Sequence, residues 1–340
     1  MGSCTRMLTE KPSMESFVPL VQVQIVTYNS ENHLAECISS VLSQTYHRLR
    51  ILIIDNASTD ASRDISSQFV PPVHVMSLPR NLGYTGAHNV GFRHAFEQGA
   101  QYVLTLNPDA RLSPDYVTNL VKGMSEDPRC GGVSGKLLRT SSGENGEAID
   151  SAGLRMEKFL HVRDRGSGRP DGPEFDEPSS VWGVCGAAAM YRMDVLLDLS
   201  PDAAAFDETF FLYKEDVDLS WRANRQSWHF LYRPTAVAYH RRGWVKGERM
   251  SPIASAHSFA NQIALLIRHV PRLSWRVVAS LTIELVRFLM LAVRRPIVAA
   301  LSFRLIAKHW RHHWAIRSQP LRQDSVKVSV LDDLCRPRHV

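Results

Sequence analysis

Asp109 stands three residues beyond an apolar run, residues 102–106, in the stretch LTLNPDARLSPD. Open α/β sheets receive their ligands just outside the carboxyl ends of the strands, so a carboxylate there is placed where a metal or a phosphate would be met. Asn, Pro and Asp are also ordinary turn residues, and on these residues alone the turn is the stronger reading. Three further strand ends change the weighing: Tyr28 and Asn29 close the run from Val21, Asp55 and Asn56 close residues 51–54, and Arg80 and Asn81 follow residues 73–78. One polar strand end is a turn; four on one rim form a site.

A rim of this composition suits a nucleoside diphosphate sugar. Asp55 would accept the imide N–H of uracil or thymine, with Tyr28 against the base. Asp109 would hold a divalent cation, because Mg²⁺ and Mn²⁺ take oxygen ligands and phosphates with few protein groups. His240, at the end of HFLYRPTAVAYH, would be a second ligand, although a His followed by Arg241 and Arg242 is by itself more often a solvated basic edge. Further along, Glu215, Asp216 and Asp218 crowd a helix start in FFLYKEDVDLSWR. The helix dipole favours negative charge there, which gives all three a structural reading. For displacement at an anomeric carbon, Asp216 is the candidate base and Glu215 its rival; adjacent helical residues do not share a face, so one of the two should look into the cleft.

These residues need a scaffold, and the pattern supplies one. Strand-like runs at residues 21–28, 51–54, 73–78 and 102–106 alternate with helical spacing at residues 34–42, 58–69, 86–98 and 117–124. Short alternation of this kind points to a parallel α/β sheet with its polar loops on one edge. Residues 139–180, rich in Gly, Pro, Ser and charge, are expected to form a long loop or insertion near the site. The sugar determinants are expected around Trp182 and Gly183 and in the loop before them. Beyond residue 250 the chain turns helical and basic. Residues 277–293 are apolar but contain Glu284 and Arg287, too short and too charged for a membrane span. Two readings remain open there: an amphipathic helix in the lipid interface, with Arg268, Arg272, Trp275, Arg276, Lys308, Trp310 and Trp314 near headgroup level, or a helical hairpin packed on the domain.

The charge is split along the chain. Residues 241–340 hold 18 Lys or Arg against 5 Asp or Glu, leaving 22 against 29 in residues 1–240, or +13 and −7. A mildly acidic body followed by a basic region fits an anionic surface, phospholipid before nucleic acid. Five scattered cysteines without C-x-x-C spacing argue against a disulfide framework and against zinc, and the absence of an apolar leader reads as a cytoplasmic protein. A nucleotidyltransferase or a dinucleotide oxidoreductase should show a Gly-rich loop after the first strand; TYNSENHL has no glycine. A catalytically silent, membrane-associated nucleotide-sugar-binding or scaffold protein is the alternative, against which Asp109, Asp216 and His240 stand together.

Five segments in this order, VQIVTYNSENHLAECISSVLSQTY, ILIIDNASTDAS, NLGYTGAHNVGF, LTLNPDARLSPD and FFLYKEDVDLSWR, resemble the family 2 glycosyltransferases of GT-A fold, and are most similar to their bacterial rhamnosyltransferase-like branch. The resemblance covers about residues 20 to 245. It implies an α/β fold with a mainly parallel central sheet and flanking helices, and an inverting transferase that uses a nucleotide-activated sugar and a divalent metal, Mg²⁺ or Mn²⁺. It puts Asp55 at the base, Asn107 and Asp109 at the metal motif, Asp216 as catalytic base, and His240 on metal or diphosphate. Thr27, Tyr28, Asn29, Glu31, Asn56, Asn81, Gly83, Gly86, Asn89 and Trp182 complete the expected donor contacts. Asn107 stands where many relatives have Asp, although this branch commonly reads Asn-Pro-Asp. The implied donor is dTDP-rhamnose and the implied acceptor a cell-envelope or lipid-linked glycan, met at the inner face of the cell membrane, with no nucleic acid. The expected division is a flexible N-terminus (residues 1–19), a catalytic domain (20–250), a membrane-associating helical region (251–318) and a tail (319–340).

Overall fold

A computed structural model describes residues 18–140, 148–241, 250–270 and 275–317; the expected tail, Arg242, Arg272 and most of the expected flexible N-terminus lie outside the described residues. The first half builds a parallel sheet. β1 (Val21–Thr27) is followed by α1 (Leu34–Leu42), whose Leu34, Cys37, Ile38 and Val41 recur at helical spacing and are buried. β2 (Leu49–Asp55), α2 (Ser62–Ser67), β3 (His74–Ser77), α3 (Gly83–Glu97) and β4 (Tyr102–Leu106) follow. Their order across the sheet is β3-β2-β1-β4, all parallel, with Thr27 beside Asp55. This brings the carboxyl ends of β1, β2 and β4 to one edge.

α3 carries polar groups on its sheet side. Gln22 donates to the Gly91 carbonyl at 2.8 Å and Gln24 meets His88 Nδ1 at 2.8 Å, so two buried glutamines of β1 are satisfied by the helix above them. A Cβ at Gly91 would lie 2.3 Å from Gln24 Oε1, which explains the glycine at this contact.

After β5 (Ala110–Leu112), α4 (Tyr116–Ser125) and β6 (Cys130–Arg139), the chain enters the segment expected as a loop. It holds β7 (Ala148–Ser151), the paired β8 (Leu154–Met156) and β9 (Val162–Asp164), and β10 (Ser179–Val181). Strands of three or four residues are too short to leave a periodic signal among glycines and charges. β11 (Ala188–Arg192) then lies antiparallel between β4 and β6, α5 (Met193–Leu199) and α6 (Glu215–Arg225) cover the sheet, and β12 (His229–His240) runs parallel to β6. β10 and β5 pair antiparallel with β12 and β7 with β6, so the sheet is mixed beyond β4.

Three further helices follow among the described residues: α7 (Pro252–His269), α8 (Trp275–Arg294) and α9 (Pro296–Arg317). α7 is anchored on the body: the Asn261 amide donates to the carbonyls of Phe210, Leu212 and Tyr213 at 2.8–2.9 Å. Arg268, expected at a lipid headgroup, is instead 2% exposed, between Asp207 (2.9 Å) and Asp218 (3.3 Å). Buried carboxylates claim a guanidinium more strongly than an interface does. α8 is turned inside out for a helix facing water: Ser280 and Glu284 are buried, while Leu281, Leu285 and Leu289 are exposed. Among the described residues no helix is long and apolar enough to cross a membrane.

Candidate active site

The loops after β1 and β2 are stapled together by the side chains they carry. Asn29, in the left-handed region at φ 52°, accepts the Thr59 N–H at 2.8 Å and donates its own N–H to Ser58. Glu31 accepts the Ala61 N–H at 3.0 Å, at the start of α2. Asp55 accepts the Ser58 N–H at 3.1 Å and lies 3.5 Å from Arg63. Its carboxylate is buried, whereas Tyr28, which follows the Thr27 paired with it, is 48% exposed. Thr27 is buried in register with Asp55, its hydroxyl without a partner.

Asn56 carries this arrangement to α3. Its amide donates to Asn81 Oδ1 and the Gly83 carbonyl at 3.0 and 3.1 Å, and its oxygen accepts the Leu82 N–H at 2.8 Å. Gly83 is at φ +73°, and a Cβ there would fall 2.4 Å from the Phe211 ring. Gly86 packs on Leu82 one turn later. Asn89 is buried away from the rim and clamps Phe206 through both its N–H and its carbonyl, holding the chain that leads to α6. Trp182 is also buried, edge-on to Trp221 at 5.6 Å, with its carbonyl accepting from Asn224.

The turn after β4 and the end of β12 meet. His240 Nε2 lies 3.3 Å from Asp109 and 3.3 Å from the Asn107 amide. The other ring nitrogen is 2.8 Å from Asp150, a buried carboxylate on β7. Burial opposes charge on His240, but the hydrogen bonds and charges of Asp109 and Asp150 outweigh it and hold its pKa up at about 9. Burial likewise opposes charge on Asp109, and His240 wins, keeping the carboxyl below its usual range. An imidazole oriented by one carboxylate and facing another is the donor arrangement of a divalent cation site, with the second carboxylate fixing the ring. The oxygens and nitrogen present therefore fit a metal of the Mg²⁺ or Mn²⁺ class.

Asp216 and Asn107 are both held by one strip of chain, residues 186–187. Gly186 donates its N–H to Asp216 Oδ2 at 3.0 Å, and the adjacent Ala187 carbonyl accepts the Asn107 N–H at 2.9 Å. The carboxylate at the start of α6 and the Asn107-Pro108-Asp109 turn are thus moored to neighbouring residues. Burial raises the Asp216 pKa and nearby Asp164 adds to it, against two backbone N–H donors. Glu215 is the more buried of the pair, its Oε2 without a partner, and burial with the Asp216 charge lifts it to about 8. Burial and the Asp216 charge thus favour the protonated form of Glu215, while two backbone N–H donors favour the charged form of Asp216. Asp218 points into the protein, to Arg222 (2.8 Å), His269 (2.9 Å) and Arg268.

Asp150, Gly186 and Lys214 belong to this neighbourhood and were not legible in the sequence. Asp150 lies 90 residues before His240, inside the segment expected as loop.

The profile of glycosyl transferase family 2 matches residues 22–199. An N-acetylglucosaminyl-diphospho-decaprenol L-rhamnosyltransferase of Mycobacterium tuberculosis is 27% identical over 267 residues, 74% of this chain and 85% of that protein. An N-acetylglucosaminyltransferase of Bradyrhizobium diazoefficiens is 31% identical over 240 residues, covering 66% of this chain and 45% of its own. Among solved structures, the mannosyltransferase PcManGT from Pyrobaculum calidifontis, in complex with GDP-Man and Mn²⁺, superposes with a TM-score of 0.54 at 17% identity over 89% of this chain and 85% of that one. GalNAc-T7 with UDP, GalNAc and Mn²⁺ gives 0.57 at 16% identity, over 75% of this chain and 48% of that one. Identities this low carry the fold alone.

Proposed function

Because the chain belongs to glycosyl transferase family 2, we propose that it is an inverting transferase moving a deoxysugar, rhamnose from dTDP-rhamnose, onto a hydroxyl of a lipid-linked cell-envelope glycan. The glycosyltransferase class rests on the family; the sugar and the acceptor rest on likeness to the mycobacterial rhamnosyltransferase. The observation that carries the mechanism is the mooring of Asp216 and the Asn107-Pro108-Asp109 turn to the adjacent residues Gly186 and Ala187.

Asp55 and Tyr28 would take the base, and the loops tied by Asn29, Glu31, Asn56 and Asn81 would hold the rest of the nucleotide. Asp109 and His240 would hold a divalent cation, which when bound neutralises charge gathering on the leaving diphosphate. Asp150 keeps Nε2 of His240 turned towards Asp109. On the other side, Asp216 accepts the proton of the acceptor hydroxyl as its oxygen attacks the anomeric carbon, and attack opposite the leaving group inverts the configuration. A carboxylate whose pKa is raised by burial is a better base than a free one. The exposed face of α8 would rest on an anionic membrane, the inner face of the cell membrane in this reading, with residues 20–250 as the catalytic domain.

Calorimetry of the protein against dTDP, UDP and GDP, each with and without Mn²⁺, tests this. Metal-dependent binding of dTDP in preference to the others supports the reading. Metal-dependent binding of UDP or GDP instead keeps the transferase and replaces the donor. No binding of any of them by the folded protein leaves the scaffold reading.

A further inference from the structure

A cavity of about 380 Å³ opens between the β8–β9 hairpin and helices α7 and α8, with Lys214 in its wall. Phe159, His161 and Arg163 come from the hairpin side, and Gln262, Ile283 and Arg287 from the helices. The lining carboxylate Glu157 is shared by Arg155 (3.4 Å) and Arg163 (3.3 Å), and the lining side chains Arg287 (2.9 Å) and His161 (3.1 Å) both pair with the buried Glu284 behind them. Lys214 is left over. Burial depresses its pKa and the charge of Arg287 adds to that, against the opposing charges of Asp216, Glu284 and Asp164, and among the described residues no carboxylate lies within ion-pair reach of it. The Gln262 side chain is 1% exposed and its oxygen has no hydrogen-bond partner. A largely buried cation without a counter-charge and a buried acceptor without a donor are both costly unless a ligand completes them.

The cavity lies between two places that the proposed reaction must connect. Tyr213 and Lys214 both take the left-handed conformation, at φ 68°, turning the chain so that Lys214 lines the cavity two residues before Asp216, which lies in the first turn of α6 against Gly186. On the far side, Ile283 and Arg287 belong to α8, whose Leu281, Leu285 and Leu289 form the exposed apolar face. Near the mouth, Phe159 meets Trp275 edge-on at 6.4 Å.

We propose that this cavity receives the diphosphate of a polyprenyl-diphosphate-linked acceptor, its lipid tail leaving along α8 and its sugar reaching Asp216. The assignment deepens the transferase reading above and rests on it for the role of Asp216. Lys214, Arg287 and Arg163 supply the charge-assisted donors that a diphosphate takes, with Arg able to bind two oxygens at once. The unpartnered Gln262 oxygen meets a sugar hydroxyl.

Equilibrium binding of geranylgeranyl diphosphate to the full chain in neutral detergent tests it, with geranylgeraniol and inorganic pyrophosphate as comparison probes. Divalent metal is left out so that the donor site stays silent. The diphosphate lipid should bind at least about tenfold tighter than the alcohol, and Lys214→Gln and Arg287→Gln should each weaken it by roughly fivefold to twentyfold, the scale of one charge-assisted contact. Arg163→Gln, on an exposed side chain, serves as a variant that folds even if Lys214→Gln does not. Equal affinity for diphosphate and alcohol, or wild-type affinity in Arg287→Gln and Arg163→Gln, overturns the assignment. Pyrophosphate binding as tightly as the lipid overturns the acceptor and leaves an inorganic anion site. Nucleotide binding with Mn²⁺, measured separately, should be unchanged in these variants; its absence in the wild type would remove the transferase reading without altering the lipid result.

Discussion

Two adjacent acidic side chains at the start of α6 sit in different surroundings. Asp216 receives two backbone N–H bonds, whereas the Glu215 oxygen Oε2 receives none and is sealed from water. Asp216→Asn keeps the shape but deletes the base and one of the two acceptors that Gly186 and Val217 use, so it should lower kcat by about 10²–10⁴ and leave nucleotide affinity within about twofold. Steady-state kinetics paired with calorimetry separates the two, and an unchanged kcat would move the base to Glu215. The Glu215 side chain makes a second prediction, about pH. Folded, it keeps its proton up to about pH 8, whereas an ordinary glutamic acid releases it near 4.5. Between these values the folded state binds more protons than the unfolded one, so its contribution to stability is full below pH 4.5, falls as pH rises and is gone above about pH 8. Glu215→Gln removes that fall. Thermal melts from pH 5 to 9 should therefore slope downward more steeply for the wild type than for the variant, with Asp216, raised in the same direction, contributing the slope that remains.

At the scale of elements, the C-terminal helices are part of the body through Arg268. Its guanidinium joins Asp207, which precedes a turn at Glu208–Phe210, to Asp218 on α6, and so ties α7 to the helix that carries the proposed base. Arg268→Met keeps the volume and strands buried negative charge, which costs about 3–5 kcal/mol when a buried pair is broken. Urea unfolding should move to lower denaturant by that amount; a loss under about 1 kcal/mol would mean that Arg222, His269 and His312 suffice for the two carboxylates. This pairing also marks where the sequence stopped being readable. The alternation of apolar runs and helical spacing gave β1 to β4 and α1 to α4, because elements that bury one face leave a period. Arg268 looked like a headgroup ligand because its partners lie 61 and 50 positions away, and nothing local announces them. Asp150 was hidden for the same reason. The strands of residues 148–181 were hidden by their shortness, although they carry the residue that orients His240 and one wall of the cavity. Rim residues at the ends of regular strands were legible; residues that depend on long-range pairing were not.

The whole molecule divides its charge and its apolar surface in the same direction. Residues 241–340 carry a net +13 against −7 for the rest, and within them α8 exposes Leu285 at 58% and Val293 at 83%, with Trp310 and Trp314 stacked 5.2 Å apart on α9. A soluble surface of that kind would normally pair with another chain or with lipid. In the reading proposed above that partner is an anionic lipid surface, in keeping with the basic balance of this part of the sequence and with the burial of Ser280 and Glu284 on the opposite side of α8. Binding to vesicles should then need both terms. Replacing about 30% anionic lipid by neutral phosphatidylcholine removes the electrostatic attraction, worth about 1 kcal/mol for each Lys or Arg near the surface, and should release most of the protein. Leu285→Gln with Leu289→Gln removes two exposed leucines without touching a charge, and should weaken vesicle binding by tenfold or more in sedimentation, since burying each contributes about 1.5–3 kcal/mol. Because both leucines are already exposed, thermal stability should stay within about 0.5 kcal/mol of the wild type. Retained vesicle binding in the double variant would turn α8 from a lipid surface into a protein interface, while a drop in stability would mean that its outer face is covered by the chain itself.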